Sequence, residues 1–109
     1  MSEYQNPLPE DAAERKNYPI YTGFIRFFPF AIAHIANHSH KATQQHHPDS
    51  PCHWDKSKSA DEEDACARHF IEQAHAENIG DNETLLKEAT AKAWRAMANL
   101  ERILTERKK

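Results

Sequence analysis

Residues 46–70 contain the densest run of chemically capable side chains in this sequence. Carboxylates, imidazoles, lysines and one thiol occur together there. Asp61 and Asp64 stand three positions apart at the start of a predicted helix, where both can face the same ligand. Mg²⁺ and Mn²⁺ prefer oxygen ligands and bridge substrate phosphates. We therefore predict that Asp61 and Asp64 hold a divalent cation, Mg²⁺ or Mn²⁺.

The neighbouring cationic and aromatic side chains suit a phosphate-bearing ligand. Lys56, Lys58 and Arg68 can neutralise phosphate oxygens, and Trp54 can stack on a nucleotide base. The combination predicts a nucleotide-binding site. The alternative for Arg68 is an ion pair with an acidic residue earlier on its own helix, which would contribute little to stability.

The acidic residues also have an interpretation that needs no function. Ser59 suits a helix N-cap, and Glu62 three positions later completes a capping box. Asp61, Glu62 and Asp64 would then complement the positive end of the helix dipole. This account explains the acids, but it leaves the adjacent Arg68 and His69 unexplained.

Eight histidines lie between His34 and His75, so the imidazoles are clustered in one part of the chain. His34 and His38 are one helical turn apart and can point at the same place. His34 and His69 are the candidates for a catalytic base or a metal ligand. For His34 and His38 the alternative is that they are solvated or locally hydrogen bonded.

A zinc site is a further possibility for the same region. Cys66 and His69 have the spacing of zinc ligands, and Cys52 precedes them. Cys52 has no second ligand at a zinc-motif spacing, so a zinc site is the third of the functional hypotheses. The remaining ligands would come from His46, His47 or His53.

Composition predicts an all-α domain, because only two glycines are present among 109 residues and the apolar residues recur at helical spacing. We expect residues 1–17 to be a flexible arm with a short helical turn near Asp11–Lys16, and residues 18–109 to be a single domain. Tyr18–Phe28 is expected to be an extended connector, because it contains Pro19 and Gly23. The three main helices are predicted at Pro29–Thr43, Ala60–Ala76 and Glu83–Glu106.

Two apolar stripes indicate how these helices pack. On the second main helix, Cys66, Ala67, Phe70, Ile71 and Ala74 are expected to be buried. The third helix has near-heptad spacing, and a stripe this long on a small domain predicts a homo-oligomer. That stripe contains Leu86, Ala89, Ala93, Met97, Leu100 and Leu104.

Charge and hydropathy exclude several classes of protein. The net charge of −3 argues against direct DNA or RNA binding, which requires an excess of lysine and arginine. No apolar run approaches the length of a membrane span, and no signal peptide is evident. Two cysteines in such a chain are expected to be free thiols in a reducing cytoplasm.

Several short motifs resemble a known family, and together they extend over roughly Arg15–Leu104. They are Ala31–His34, His53-Trp54, Ala65–Phe70 and Ala93–Leu100. They look like the phage family of dATP/dGTP diphosphohydrolases, N-terminal domain, which is similar to the all-α MazG-type nucleotide pyrophosphohydrolases. The resemblance implies metal-dependent cleavage of a purine nucleoside triphosphate to monophosphate and pyrophosphate, in the host cytoplasm if the chain is phage-encoded. By that resemblance the site is lined by His34, Asp61, Asp64, Arg68 and His69.

Three functions therefore remain open at this stage. The first is a metal-dependent purine nucleoside triphosphate pyrophosphohydrolase. The second is a nucleotide-binding protein without catalysis on the same scaffold; it is favoured because MazG-type enzymes carry carboxylates on two helices and the Phe28–Thr43 helix has none. The third is a zinc-stabilised interaction module.

Overall fold

The computed structural model describes residues 6–57 and 61–106, and in this part of the chain all regular structure is helical. The predicted all-α class with three main helices is confirmed. No helix in the described part is long and apolar enough to cross a membrane. The helical elements are α1 (Ala12–Arg15), a π-helical turn (Tyr21–Ile25), α2 (Pro29–His46), α3 (Glu62–Ile79) and α4 (Asn82–Glu106).

The chain divides into two compact units, residues 1–32 and 33–109, and the division falls in the first turn of α2. The predicted boundary between an arm and a domain after residue 17 differs from this division and stays a prediction. In the first unit, α1 is capped by Asp11, whose Oδ2 accepts a hydrogen bond from the Glu14 backbone nitrogen at 3.0 Å.

The extended connector predicted for Tyr18–Phe28 is wrong, because the middle of this segment is helical. The Arg26 nitrogen donates to the Tyr21 carbonyl at 2.8 Å, five residues earlier, which defines a π-type turn. Gly23 allows the chain to coil here, since an added Cβ would lie 3.0 Å from Cγ of Pro19. The glycine therefore permits a close approach rather than an extended strand.

In the second unit, α3 and α4 form an antiparallel hairpin around Gly80. Gly80 adopts the left-handed conformation with φ of 74°, and the Asp81 nitrogen donates to the Ala76 carbonyl at 2.9 Å. Asp81 then caps α4 by accepting a hydrogen bond from the Thr84 nitrogen at 3.1 Å. The hydrogen bonds from Thr84 lower the pKa of the Asp81 carboxyl below its usual value.

The interior of this hairpin is lined by small side chains. The buried apolar residues in the described part of the chain are Ala65, Ala76, Ala91 and Ala98. Alanines let two helices approach closely, but each contributes little apolar area. The hairpin is therefore close-fitting and has a small apolar core.

The prediction of which face of α3 is buried is wrong. Phe70 and Ile71 are 59% and 70% exposed, whereas Glu62, Ala65 and Ala76 are buried. The face of α3 that meets α4 begins at Glu62, because two arginines on α4 bind this carboxylate. The ion pairs of Glu62 thus set the rotation of α3 about its own axis. The apolar periodicity of the sequence alone did not reveal this rotation.

The predicted stripe on α4 remains largely open to solvent. Leu86, Met97, Leu100 and Leu104 are 53%, 50%, 54% and 49% exposed. These residues are not part of the chain's own core, and the homo-oligomer expected from them stays a prediction.

Replacing Gly80 tests the turn of the hairpin. Gly80→Ala should lower the free energy of unfolding by roughly 1–2 kcal/mol, because a Cβ is strained in the left-handed conformation. Gly80→Asn should cost less, since asparagine tolerates this region better. Urea unfolding followed by circular dichroism measures both; equal stabilities of the two variants would contradict this role for Gly80.

Candidate functional site

A buried carboxylate with two arginine partners lies at the start of α3. The Glu62 side chain is 2% exposed and accepts hydrogen bonds from Arg95 Nη1 at 2.7 Å and Arg102 Nε at 2.6 Å. The hydrogen bond with Glu62 raises the pKa of the Arg102 guanidinium further above its usual value. The capping box predicted with Ser59 cannot be followed, because Ser59 lies outside the described residues. Glu62 itself joins α3 to α4 instead.

Arg102 also connects α4 to the loop that precedes α3. Its Nη2 donates to the Lys56 carbonyl at 2.9 Å, and its guanidinium carbon lies 5.4 Å from the centre of the Trp54 ring. The Lys56 ammonium lies 4.8 Å from the same ring. These cation–π contacts hold the half-buried Trp54 in place.

The two tryptophans of the chain contact each other. Trp54 and Trp94 pack edge to face with ring centres 5.4 Å apart, a favourable geometry for aromatic pairs. Trp94 Nε1 donates to Ser39 Oγ at 2.6 Å, so the pair is tied to α2. The Thr43 hydroxyl strengthens the connection by donating to the His53 carbonyl at 3.2 Å and accepting from the His53 nitrogen at 3.3 Å.

These contacts border a cavity of about 430 Å³ between α2, the loop and α4, which we call the histidine cavity. Its volume lies within the range of small-molecule sites. The wall combines aromatic rings, imidazoles, one guanidinium and one carboxylate. It is formed by His38, Ser39, Ala42, Thr43, His46, His47, His53, Trp54, Asp55, Trp94 and Arg95.

The hydrogen bonding of His53 fixes which ring nitrogen carries the proton. His53 Nδ1 lies 3.1 Å from the Pro51 carbonyl, which can only accept, so Nδ1 is the donor. In the neutral ring Nε2 is then an acceptor. The His47 ring lies beside it, with centres 5.1 Å apart. The cavity wall thus offers both donors and acceptors to a polar ligand.

The surroundings of His38 shift the pKa of its imidazole. Partial burial lowers the pKa of its imidazole, and electrostatic interactions with His69 and Arg95 lower it further. Glu88 opposes this shift, whereas Lys41 adds to it. The His38 ring lies 6.3 Å from that of Trp94. His38 therefore favours its neutral form in the folded protein.

The histidines predicted as catalytic lie in two different places. His69 is half-buried at the α3–α4 interface, where its Nδ1 lies 2.6 Å from Glu88 Oε1. His34 is exposed on α2 and lines a second cavity of about 630 Å³ together with Lys41 and Lys87. Neither lines the histidine cavity, so the structure does not bring the two predicted catalytic histidines to one point.

The residues predicted to bind metal and phosphate are also dispersed. Arg68 Nη2 lies 3.0 Å from Asp61 Oδ2, and both side chains are largely exposed, which is the intrahelical pair considered as the alternative. Asp64 is exposed on the same helix. Trp54 borders the histidine cavity, and the Lys56 ammonium contacts the Trp54 ring. Lys58 lies outside the described residues.

The candidate ligands for a metal ion are not clustered in the described residues. Over residues 6–57 and 61–106, no three His, Cys, Asp or Glu side chains are grouped so that they could hold one. Cys66 is half-buried and its thiol donates to the Lys92 carbonyl at 3.6 Å, while Cys52 lies 3.8 Å from the Thr43 hydroxyl. Binding of Mg²⁺, Mn²⁺ or zinc stays a prediction from sequence.

Several residues of this site were not selected from the sequence. Arg95 and Arg102 are seven positions apart on α4, a spacing that places both on one helix face. The signal was present, but it becomes meaningful only once Glu62 is known to face them. Ser39 gave no signal, because a serine within a helix is common.

Comparison with known proteins found no match. No family model, curated protein or solved structure matched this chain.

Replacing Glu62 tests whether it holds the hairpin together. Glu62→Ala should lower the melting temperature by more than about 10 °C, because removing one partner leaves two arginines without their carboxylate. Glu63→Ala is the matched control, since Glu63 is the exposed neighbour on the same helix. Differential scanning calorimetry distinguishes them; equal melting temperatures would show that the ion pairs are dispensable.

Acid should weaken the fold through His38. Because its pKa is lowered in the folded state, the unfolded chain takes up a proton first as the pH falls below about 6.5. The stability that neutral His38 provides is present above that pH and is lost below it. His38→Gln should therefore reduce the loss of stability between pH 7.5 and 5. His40→Gln, on an exposed position of α2, is the control; identical pH profiles for the two variants would contradict the assignment.

Proposed function

We propose that this protein binds a purine nucleotide in the histidine cavity. One observation carries the proposal: both tryptophans and Arg95 lie on the wall of one cavity of about 430 Å³. A nucleotide combines a flat aromatic base with an anionic phosphate, and aromatic rings and a guanidinium are the side chains that bind these two parts. The preference for a purine comes from the family resemblance of the sequence.

The groups suited to a base and to a phosphate lie next to each other on the cavity wall. The Arg95 guanidinium carbon lies 5.6 Å from the centre of the Trp94 ring, and Trp54 is contacted in the same way by Lys56 and Arg102. Arg95 donates to Glu62 through Nη1, and a guanidinium has further N–H groups that can reach a phosphate. His46, His47 and His53 add imidazole hydrogen-bonding groups on the same wall.

Hydrolysis of a purine nucleoside triphosphate to pyrophosphate is the second candidate function. The His69–Glu88 hydrogen bond favours it, because a carboxylate that orients an imidazole is a common arrangement of a general base. Mg²⁺ or Mn²⁺ at Asp61 and Asp64 is part of this hypothesis. These carboxylates are not on the wall of the histidine cavity, so binding without turnover is the function that the geometry supports better.

Intrinsic fluorescence tests binding directly, since the chain has two tryptophans and both line the cavity. Titration with dATP or dGTP should change the emission, and calorimetry should give the same affinity. Ala42→Leu projects a larger side chain from the cavity wall and should weaken binding at least tenfold. Ala36→Leu is the matched control, because Ala36 is exposed on α2 and is not part of that wall.

Unchanged affinity in Ala42→Leu, or no binding by the wild type, would contradict the proposal. Assaying pyrophosphate release in EDTA, Mg²⁺ and Mn²⁺ then separates the two functions. Metal-dependent release that Asp64→Asn abolishes and Glu63→Gln retains would establish hydrolysis. Saturable binding with no release in any of the three conditions would establish a binding protein.

A further inference from the structure

The second cavity, of about 630 Å³, lies between α2 and α4 and borders the histidine cavity. His38 and Ala42, one turn apart on α2, lie on the walls of both cavities. Every residue on the two walls belongs to the unit formed by residues 33–109. The volume of the second cavity is also within the range of small-molecule sites. An extended ligand can therefore reach from one cavity into the other along these two residues.

Two ammonium groups from different helices line the second cavity. Lys41 comes from α2 and Lys87 from α4. Neither ammonium has an ion pair or a hydrogen bond within the described residues. The α2 side of the wall has no carboxylate, since no Asp or Glu occurs in Pro29–His46. Like charges on the wall of one cavity raise its positive potential, which attracts anions.

The other polar groups of this wall agree with an anionic ligand. The amides of Asn37 and Gln45 carry N–H groups that can donate hydrogen bonds to phosphate oxygens. Among the described residues of the wall, Glu83 in the first turn of α4 is the only carboxylate. Lys41 and Lys87 therefore outnumber the acidic groups here, although the whole chain has a net charge of −3.

We propose that the second cavity binds a chain of phosphates, held between Lys41 and Lys87. A polyphosphate chain carries anionic oxygens along its length, so it can contact cations on both helices at once. When the chain belongs to the nucleotide of the proposed function, Arg95 contacts the phosphate nearest the base and the lysines contact the distal phosphates. The inference rests on the proposed function in this respect only. These two lysines are not among the phosphate-binding residues predicted from the sequence.

The assignment makes the two lysines specificity-determining residues. The histidine cavity alone would accept a nucleoside monophosphate and a triphosphate alike, because both have a base and a first phosphate. The lysines of the second cavity add charge-assisted hydrogen bonds that only the longer chain can form. The carboxylate of Glu83 acts in the opposite direction, since it repels the same phosphates. Affinity should therefore rise by at least about tenfold from dAMP to dATP.

Calorimetric titration of the full chain in metal-free buffer tests this inference with three probes: sodium tripolyphosphate, dAMP and dATP. The wild type should bind tripolyphosphate, and Lys41→Gln and Lys87→Gln should each weaken that binding by about tenfold. Both variants should also lose the preference for dATP over dAMP. Lys92→Gln is the matched control, because it removes the same charge from α4 at a residue that contacts Phe70 on α3 and lines neither cavity.

A change in the opposite direction guards against effects on folding. Glu83→Gln should tighten the binding of tripolyphosphate several-fold, because it removes the carboxylate from the cavity wall. A gain of affinity cannot result from a loss of folded protein. Glu72→Gln is its control, since Glu72 is exposed on α3 and should leave the affinity unchanged. Equal affinities in Glu83→Gln and the wild type would contradict the placement of the phosphates in this cavity.

The outcomes separate this inference from the nucleotide proposal. Tripolyphosphate binding that depends on Lys41 and Lys87, without binding of dAMP or dATP, would identify a free polyphosphate as the occupant and contradict the nucleotide proposal alone. Equal affinities for dAMP and dATP, with no binding of tripolyphosphate, would overturn the lysine assignment and leave the nucleotide proposal in place. An equal loss in Lys92→Gln would attribute the effect to overall charge and overturn the assignment. No binding of any probe would overturn both proposals.

Discussion

The double ion pair of Glu62 is the interaction on which the second unit depends. A carboxylate that is buried away from water is tolerated only when cationic partners replace its hydration. Arg95 and Arg102, seven positions apart on α4, are these partners. The pairing fixes the rotation of α3 relative to α4. Through Arg102 it also fixes the loop, since the guanidinium binds the Lys56 carbonyl and covers Trp54.

This arrangement relies on polar contacts where many small domains rely on a large apolar core. The alanines between α3 and α4 permit close contact but remove little apolar area from water. Hydrogen bonds are directional, so they define one register even when apolar burial is small. The large apolar side chains lie instead on the outer faces of the same helices, where they are exposed to solvent. Exposed apolar patches of this kind mark interaction surfaces.

The histidine cavity follows from how α2 is attached. Trp94 donates a hydrogen bond to Ser39 on α2, and Thr43 on α2 donates one to the loop at His53. The histidine cavity is the open space between these two contacts. The imidazole of His38 borders this space and is kept neutral by partial burial and by neighbouring positive charges.

The sequence alone determined the helical class and the approximate bounds of the three main helices, because periodicity, caps and composition are local properties. It also offered the intrahelical pair of Asp61 with Arg68 as the alternative to phosphate binding by Arg68, because that pair depends only on spacing along one helix. Only the tertiary structure decided that Glu62 is buried, that Phe70 and Ile71 are exposed, and that Ser39 binds Trp94. These outcomes depend on which helix faces meet. The contacting faces are determined by hydrogen bonds between side chains far apart in the chain, 33 positions for Glu62 with Arg95 and 55 for Ser39 with Trp94.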